Sequence, residues 1–187
     1  MEKKTVRAGI VGAGFAARFH YEAMSKVYGT HVDVKGVYAL DTQQAQAFAK
    51  ERGIRCYESL DALLDDVDVV HCCVIVAAHE EIAIAALERD KHVIVEKPLT
   101  GYLGDGTNGF HGDHFPKEDA LKHGLASVKR MLAAEAKSKG RIFVELIKDA
   151  ELEAAGDEAL RRVGRYGANQ IANGIAAAMS SPDSAPP

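Results

Sequence analysis

The sequence predicts an α/β fold: a Rossmann-like, doubly wound and mainly parallel sheet in a single domain, with a short helical C-terminal extension. Short apolar segments alternate with segments of helical periodicity over the first 147 residues, as in sheets whose strands are joined by helices. Residues 67–78 form a nearly unbroken apolar run, typical of a parallel strand covered on both faces. A glycine turn joins the first apolar segment, residues 6–11, to a helix. We expect one domain over residues 1–147, and a helical extension with a disordered tail over residues 148–187.

The glycine turn has the pattern Gly12-x-Gly14-x-x-Ala17, and a helix-compatible segment begins at Phe15. Gly12 permits a tight turn, Gly14 lets the backbone approach a pyrophosphate, and Ala17 lets the helix pack closely on the strand. Free amides and the positive end of the helix dipole would then face the phosphates. The pattern predicts dinucleotide binding at Gly12, Gly14, Phe15 and Ala16, and a purely structural turn is the alternative.

Local signals place the other elements. The later predicted strands cover residues 31–40, 54–57, 67–78, 92–95 and 141–147, and the later predicted helices cover residues 42–52, 60–64, 79–90 and 116–138. Gly53 and Gly140 end two of these helices, and Ser59 caps the one at residues 60–64. In the last helix apolar residues recur with helical spacing, at Ala120, Leu121, Leu125, Val128, Leu132 and Ala136.

Asp41 follows the second predicted strand directly. An acid at this point of a βαβ unit accepts hydrogen bonds from the adenosine ribose and repels a 2′-phosphate. Thr42 comes next, and no arginine is nearby to bind that phosphate. We therefore predict NAD as the cofactor, with NADP less favoured. Asp41 is equally suited to cap the following helix, and the two roles are compatible.

Polar residues also follow two later strands. His79 comes after the apolar run 67–78, and Glu96, Lys97 and Pro98 come after the strand at residues 92–95. Ligands of doubly wound sheets bind beyond the carboxyl ends of the strands, so these residues point to the same crevice as the glycine turn. His79 could instead be a helix N-terminal residue without cofactor contact, and Lys97 a solvated surface lysine.

These segments resemble the Gfo/Idh/MocA family, named after glucose–fructose oxidoreductase and inositol dehydrogenase. The resemblance rests on residues 9–20, on Asp41 and on residues 79–99. It implies an NAD(P)-dependent oxidoreductase acting on sugars, cyclitols or related alcohols. By resemblance, Lys97 would contact the reacting hydroxyl and relay its proton, while Glu96 and His79 would line the cofactor crevice.

The chain departs from the family pattern at two points. Val74 and Ile75 stand where the family usually has Thr-Pro. Without the turn-forming proline and the hydroxyl, we expect the nicotinamide-side loop to differ in shape from the family pattern. Forty residues follow position 147, far fewer than the family's second, substrate-binding domain needs. A non-catalytic NAD-binding module and a truncated inactive product are therefore alternatives. An edge strand that the second domain would cover also favours self-association into a homo-oligomer.

Composition narrows the choice of partners and compartment. A net charge of −4 gives no basic footprint, so we expect no binding to nucleic acid or anionic membranes. The three cysteines are expected to be small buried residues in a reducing compartment, and the N-terminus leaves no room for a signal peptide, so we expect a cytoplasmic protein. His20 is expected to be structural. Scattered loop residues at 105, 111, 113 and 114 are weak metal candidates, and we predict no metal site.

Overall fold

A computed structural model describes residues 4–102, 104 and 117–144. The strands are β1 (Thr5–Val11), β2 (His31–Tyr38), β3 (Arg55–Cys56), β4 (Val69–Cys72), β5 (His92–Val95) and β6 (Ile142–Val144). The helices are α1 (Phe15–Met24), α2 (Thr42–Arg52), α3 (Leu60–Asp66), α4 (His79–Leu87) and α5 (Lys117–Glu135). The predicted C-terminal extension, residues 148–187, lies outside the described residues.

The six strands form one parallel sheet in the order β3-β2-β1-β4-β5-β6. The chain winds outward from β1 to β3 on one side, then returns to the centre and winds outward from β4 to β6. This order confirms the predicted Rossmann-like fold. Because every strand runs in the same direction, the ends of β1, β2, β4 and β5 share one edge, and the strand order switches between β1 and β4.

A layer of helices covers each face of the sheet. On one face, α1 and α2 bury Ala17, Met24 and Phe48 against β1. On the other face, α3 and α4 bury Leu63 and Ile82, among others, against β4 and β5. The neighbouring residues Cys72 and Cys73 belong to opposite layers, as strand alternation predicts.

Most of the predicted boundaries agree with the structure. The predicted bounds of α2 and β5 match, and Ser59 and Asp41 cap α3 and α2. The long helix is present as Lys117–Glu135, but its leucines at 121, 125 and 132 are at least half exposed, whereas Met131 is buried. Within the predicted strand 141–147, β6 covers Ile142–Val144, and residues 145–147 lie outside the described residues.

The predicted strand at residues 67–78 is wrong in length. Only Val69–Cys72 pairs in the sheet, and residues 76–78 form a 3-10 turn. The reason lies in the neighbouring strands, because Cys72 is opposite Val11 and Val95, the last residues of β1 and β5. Beyond that point β4 has no partner to continue the ladder, and the apolar Ile75 is 74% exposed.

None of the helices in the described part of the chain combines the length and the hydrophobicity that crossing a membrane requires.

Candidate functional site

Gly12 ends β1 at the centre of the carboxyl edge. Its φ is +102°, and a Cβ at this position would lie 2.3 Å from the carbonyl oxygen of Cys73. The Gly12 amide donates to the carbonyl of Tyr38 at the end of β2. Both backbone conformation and space therefore require glycine here, and the tight turn brings three strand ends together.

Gly14 is the N-cap of α1 and differs from Gly12 in both respects. Its φ is −83°, which other residues adopt readily, and no protein atom lies within 4 Å of a Cβ built there. No side chain caps this helix end. Phe15 is 83% exposed and Ala16 is half-buried, so the first turn of α1 opens to solvent. Neither backbone conformation nor packing requires glycine at position 14. Glycine is a common N-cap residue, and it also lets an anionic group lie directly against the backbone.

Asp41 is exposed and caps α2, with its Oδ1 accepting from the Gln44 amide at 3.0 Å. A carboxylate has two oxygens with about four lone-pair sites, so one capping bond leaves accepting capacity for a further donor. The structure therefore supports the capping role and leaves room for the ribose role.

His79 is the first residue of α4 and is buried. Its Nε2 lies 3.1 Å from the carbonyl oxygen of Val74, and its Nδ1 lies 3.1 Å from that of Pro98. The ring thus joins the loop after β4 to the turn after β5. Its two nitrogens face the protein backbone, so its contribution at this edge is to hold two loops together.

Glu96 and Lys97 follow β5 directly. The half-buried Glu96 accepts from the Lys97 backbone amide through Oε2 at 3.2 Å, and its Oε1 lies 3.0 Å from His20 Nε2. Lys97 is exposed, and the Lys97–Pro98 peptide bond is cis. The pKa of Glu96 is lowered: burial alone would raise it, but the hydrogen bond and charge of His20, together with those of Lys97, outweigh that effect.

His20 and His71 form a buried pair behind this turn. His20 on α1 is fully buried, as expected for a structural residue, and its Nδ1 lies 2.8 Å from Nδ1 of His71 on β4. Burial and then the charge of His20 lower the pKa of His71 well below its usual value. The Nε2 atom of His71 is buried without a hydrogen-bond partner. Sequence reasoning missed His71 because it lies within an apolar run.

The structure therefore places every predicted site residue at one edge of the sheet. Gly12, Gly14, Phe15 and Ala16 surround the start of α1, and Asp41 follows β2. His79, Glu96 and Lys97 lie at the loops after β4 and β5. Among the described residues no group of three or more His, Cys, Asp or Glu side chains could hold a metal, and the loop candidates at 105, 111, 113 and 114 lie outside them.

Comparison with known proteins identifies the family. Residues 6–109 match GFO_IDH_MocA, described as an oxidoreductase family with an NAD-binding Rossmann fold. The match covers more than half of the chain, so the chain belongs to this family, as its motifs predicted.

Two curated relatives are similar over the same region. Glucose-6-phosphate 3-dehydrogenase of Bacillus subtilis (strain 168) is 36% identical over 93 residues, covering 50% of this chain and 26% of that protein. An inositol 2-dehydrogenase/D-chiro-inositol 3-dehydrogenase of Lactiplantibacillus plantarum is 35% identical over 102 residues, covering 52% and 29%. The chain thus spans less than a third of the length of either relative.

Among solved structures, biliverdin reductase of Synechocystis, in complex with biliverdin and NADP+, superposes with a TM-score of 0.57 at 26% identity. The match covers 75% of this chain and 37% of that protein. WlbA dehydrogenase of Bordetella pertussis, in complex with NADH and UDP-GlcNAcA, has a TM-score of 0.60 at 21% identity, covering 78% and 36%, and shows the shared fold alone.

Proposed function

We propose that this chain binds a nicotinamide dinucleotide and forms the nucleotide-binding part of an oxidoreductase that transfers hydride between the cofactor and a sugar, cyclitol or related alcohol. The single observation that carries the proposal is Gly14. It is a glycine that the protein's own conformation and packing do not need, at the uncapped start of a ten-residue helix. A pyrophosphate against that backbone explains the residue type.

The fit extends along the edge. The amides of Gly14, Phe15 and Ala16 would bind the pyrophosphate, with Gly12 shaping the turn beneath it. Asp41, after the adjacent strand β2, would accept hydrogen bonds from the adenosine ribose. A carboxylate there repels a 2′-phosphate, so we propose NAD rather than NADP. The bound nicotinamide would supply the hydride chemistry.

Lys97 is the proposed catalytic residue. Lys97 is exposed after β5, and β5 and β2 lie on opposite sides of β1 in the sheet. The ammonium group would therefore reach a substrate hydroxyl at the end of the crevice away from Asp41. Oxidation of an alcohol releases the hydroxyl proton, and a lysine amine beside the oxygen can accept or return that proton. Glu96 and His79 would shape the nicotinamide side, Glu96 by fixing the Lys97 backbone and His79 by joining the two loops.

The substrate class is taken from the family and from relatives whose names specify a sugar phosphate and inositol. A non-catalytic NAD-binding module is the alternative, because the chain covers only part of these relatives. Incubation with NAD and a panel of polyols and sugars separates the two, since the module would bind NADH without reducing NAD.

We further propose that the protein is cytoplasmic and that it self-associates through the edge strand β6 and the exposed leucines of α5. Sedimentation velocity measures the self-association.

Gly14→Ala tests the binding site. A Cβ there meets no protein atom within 4 Å, but alanine is a poorer N-cap than glycine, so we expect the free energy of unfolding to fall by only about 0.5–1 kcal/mol. The methyl group would occupy the space of the pyrophosphate, so NADH affinity, followed by nicotinamide fluorescence, should fall at least roughly tenfold, equivalent to about 1.4 kcal/mol.

Gly29→Ala is the control for a methyl group added in open space away from the site, although its φ of +99° gives it a conformational cost that Gly14→Ala lacks. This glycine also has no protein atom within 4 Å of a built Cβ, but it lies between α1 and β2 at the opposite edge of the sheet from Gly14. The control should bind NADH like the unmodified chain. Equal NADH affinity in the Gly14 variant and the unmodified chain would contradict the proposed site, as would an unmodified chain that fails to bind either nucleotide.

A further inference from the structure

We propose that His20 is a positioning residue, which holds Glu96 and thereby fixes the Lys97 backbone relative to α1. The inference rests on the proposed function for its meaning, since it links the proposed pyrophosphate helix to the proposed catalytic lysine. The hydrogen bonds themselves can be tested in the chain without any nucleotide.

The first link joins α1 to the turn after β5. His20 is fully buried on α1, six residues beyond Gly14, and its Nε2 lies 3.0 Å from Glu96 Oε1. An ionised carboxylate only accepts hydrogen bonds, so Nε2 carries the hydrogen and donates. This assignment follows from the partner and holds for both the neutral and the cationic imidazole.

The second link fixes the orientation of the His20 ring. Its Nδ1 lies 2.8 Å from His71 Nδ1 on the central strand β4, and the two rings meet edge to face at 85°. With partners on both nitrogens, the ring cannot turn about its axis without losing one of them. The central strand therefore aims Nε2 at the carboxylate.

The third link reaches the reacting end of the site. Glu96 Oε2 accepts from the Lys97 backbone amide at 3.2 Å, while Oε1 is held by His20. The Glu96 side chain is only 15% exposed, so water can replace little of what His20 supplies. Removal of the Nε2 donor would leave a nearly buried carboxylate oxygen without its partner, and the carboxylate would rotate away from the Lys97 amide.

A pair of variants separates positioning from bulk. In His20→Gln the side-chain amide can reach the place of Nε2, whereas in His20→Asn the shorter amide reaches only the place of Nδ1. The measured quantity is the hydrogen-exchange rate of the Lys97 backbone amide, observed by NMR in the ¹⁵N-labelled full chain. We expect this rate to stay unchanged in the Gln variant. In the Asn variant the exchange of this amide should become roughly tenfold faster, because the acceptor is no longer held.

His31→Asn is the control, because His31 is exposed at the start of β2. A merely structural role for His20 would lower the unfolding free energy in both variants without separating them at Lys97. Equal Lys97 exchange in the Gln and Asn variants would therefore overturn the proposal.

Glu96→Ala covers the case in which the Asn variant does not fold. This change removes the acceptor of the Lys97 amide while keeping His20, so it must accelerate exchange at Lys97, and an unchanged rate would overturn the proposal. NADH titration of the unmodified chain is run in parallel. A chain that does not bind NADH would refute the proposed function, whereas the exchange data decide the role of His20 by themselves.

Discussion

Single residues at the carboxyl edge fall into two kinds. Gly12 satisfies a demand of the protein, since its φ is positive and Cys73 occupies the space of its Cβ. Gly14 satisfies no such demand, and the proposed pyrophosphate would account for it. A glycine that the free chain does not require is therefore more informative about function than one that the fold requires.

Gly12→Ala should be strongly destabilising. Alanine with a φ of +102° costs about 1–2 kcal/mol, and contact with the Cys73 carbonyl forces a backbone shift that adds about 1–3 kcal/mol. Gly29→Ala has nearly the same φ, +99°, but open space around the Cβ, so it should cost only the conformational part. Urea unfolding measures both, and equal losses would show that the close approach to Cys73 carries no energy.

At the residue scale the sequence placed Gly12, Glu96 and Lys97 directly after strands, because the apolar run before each of them stops there. His79 is different, since it begins α4 and β4 already ends at Cys72.

The sequence could not predict that His20 joins His71 and Glu96. These residues are 51 and 76 positions from His20, and no local periodicity records a contact over such separations. The contact depends on how α1 packs on the sheet, which brings His20 to His71 of β4 and to Glu96 after β5, and only the folded topology determines that packing.

Among the elements, α2 has as its N-cap the residue that we propose selects the cofactor, Asp41. Asp41→Ala removes the cap and should lower the unfolding free energy by about 1 kcal/mol. Asp41→Asn keeps an oxygen that can accept from the Gln44 amide, so stability should hardly change. The loss of charge should nevertheless narrow the preference for NAD over NADP, because the repulsion of a 2′-phosphate disappears.

Binding of both nucleotides to the two Asp41 variants, together with urea unfolding, checks this prediction. Ser59→Ala is the control, since Ser59 caps α3 by accepting from the Ala62 amide. This variant should lower the free energy of unfolding without changing the nucleotide preference. An unchanged ratio of NAD to NADP affinity in Asp41→Asn would contradict a ribose role for Asp41.

The error at β4 is also an effect of element scale. Residues 73–78 are as apolar as the strand before them, so hydrophobicity cannot mark where β4 ends. The end is set by β1 and β5, whose last paired residues are Val11 and Val95. By contrast, α2 has an acid cap and a glycine in the left-handed conformation at Gly53, and such local signals make both of its ends readable.

For the whole molecule, a neutral histidine buried at the centre of the sheet makes stability depend on pH. The pKa of His71 is lowered well below 6.5 by burial, so below that pH the unfolded chain binds a proton that the folded chain refuses. Stability should therefore fall as the pH decreases from 7.5 to 5.5, by at most about 1.4 kcal/mol per pH unit for this group. The half-buried His92, with its pKa lowered by burial and by Arg141, acts in the same direction.

His71→Asn isolates this contribution, because asparagine can accept from or donate to His20 near the place of Nδ1 but does not titrate. We expect a shallower loss of stability in urea unfolding between pH 7.5 and 5.5 than in the unmodified chain. His31→Asn, at an exposed position, should keep the full slope. Glu96 adds its own loss only at lower pH, because its pKa is lowered from 4.5. Identical slopes in the His71 variant and the unmodified chain would contradict the prediction.

The alternation of Cys72 and Cys73 provides an internal probe for each side of the sheet. Cys72 packs with α3 and α4, Cys73 packs with α1 and β1, and both are buried thiols. An alkylating reagent reaches either sulfur only when the helices above it separate, and burial also raises the pKa of Cys72 and so slows its reaction in the closed state. The labelling rates of these two adjacent cysteines would thus report separately how often each helix layer separates from the sheet.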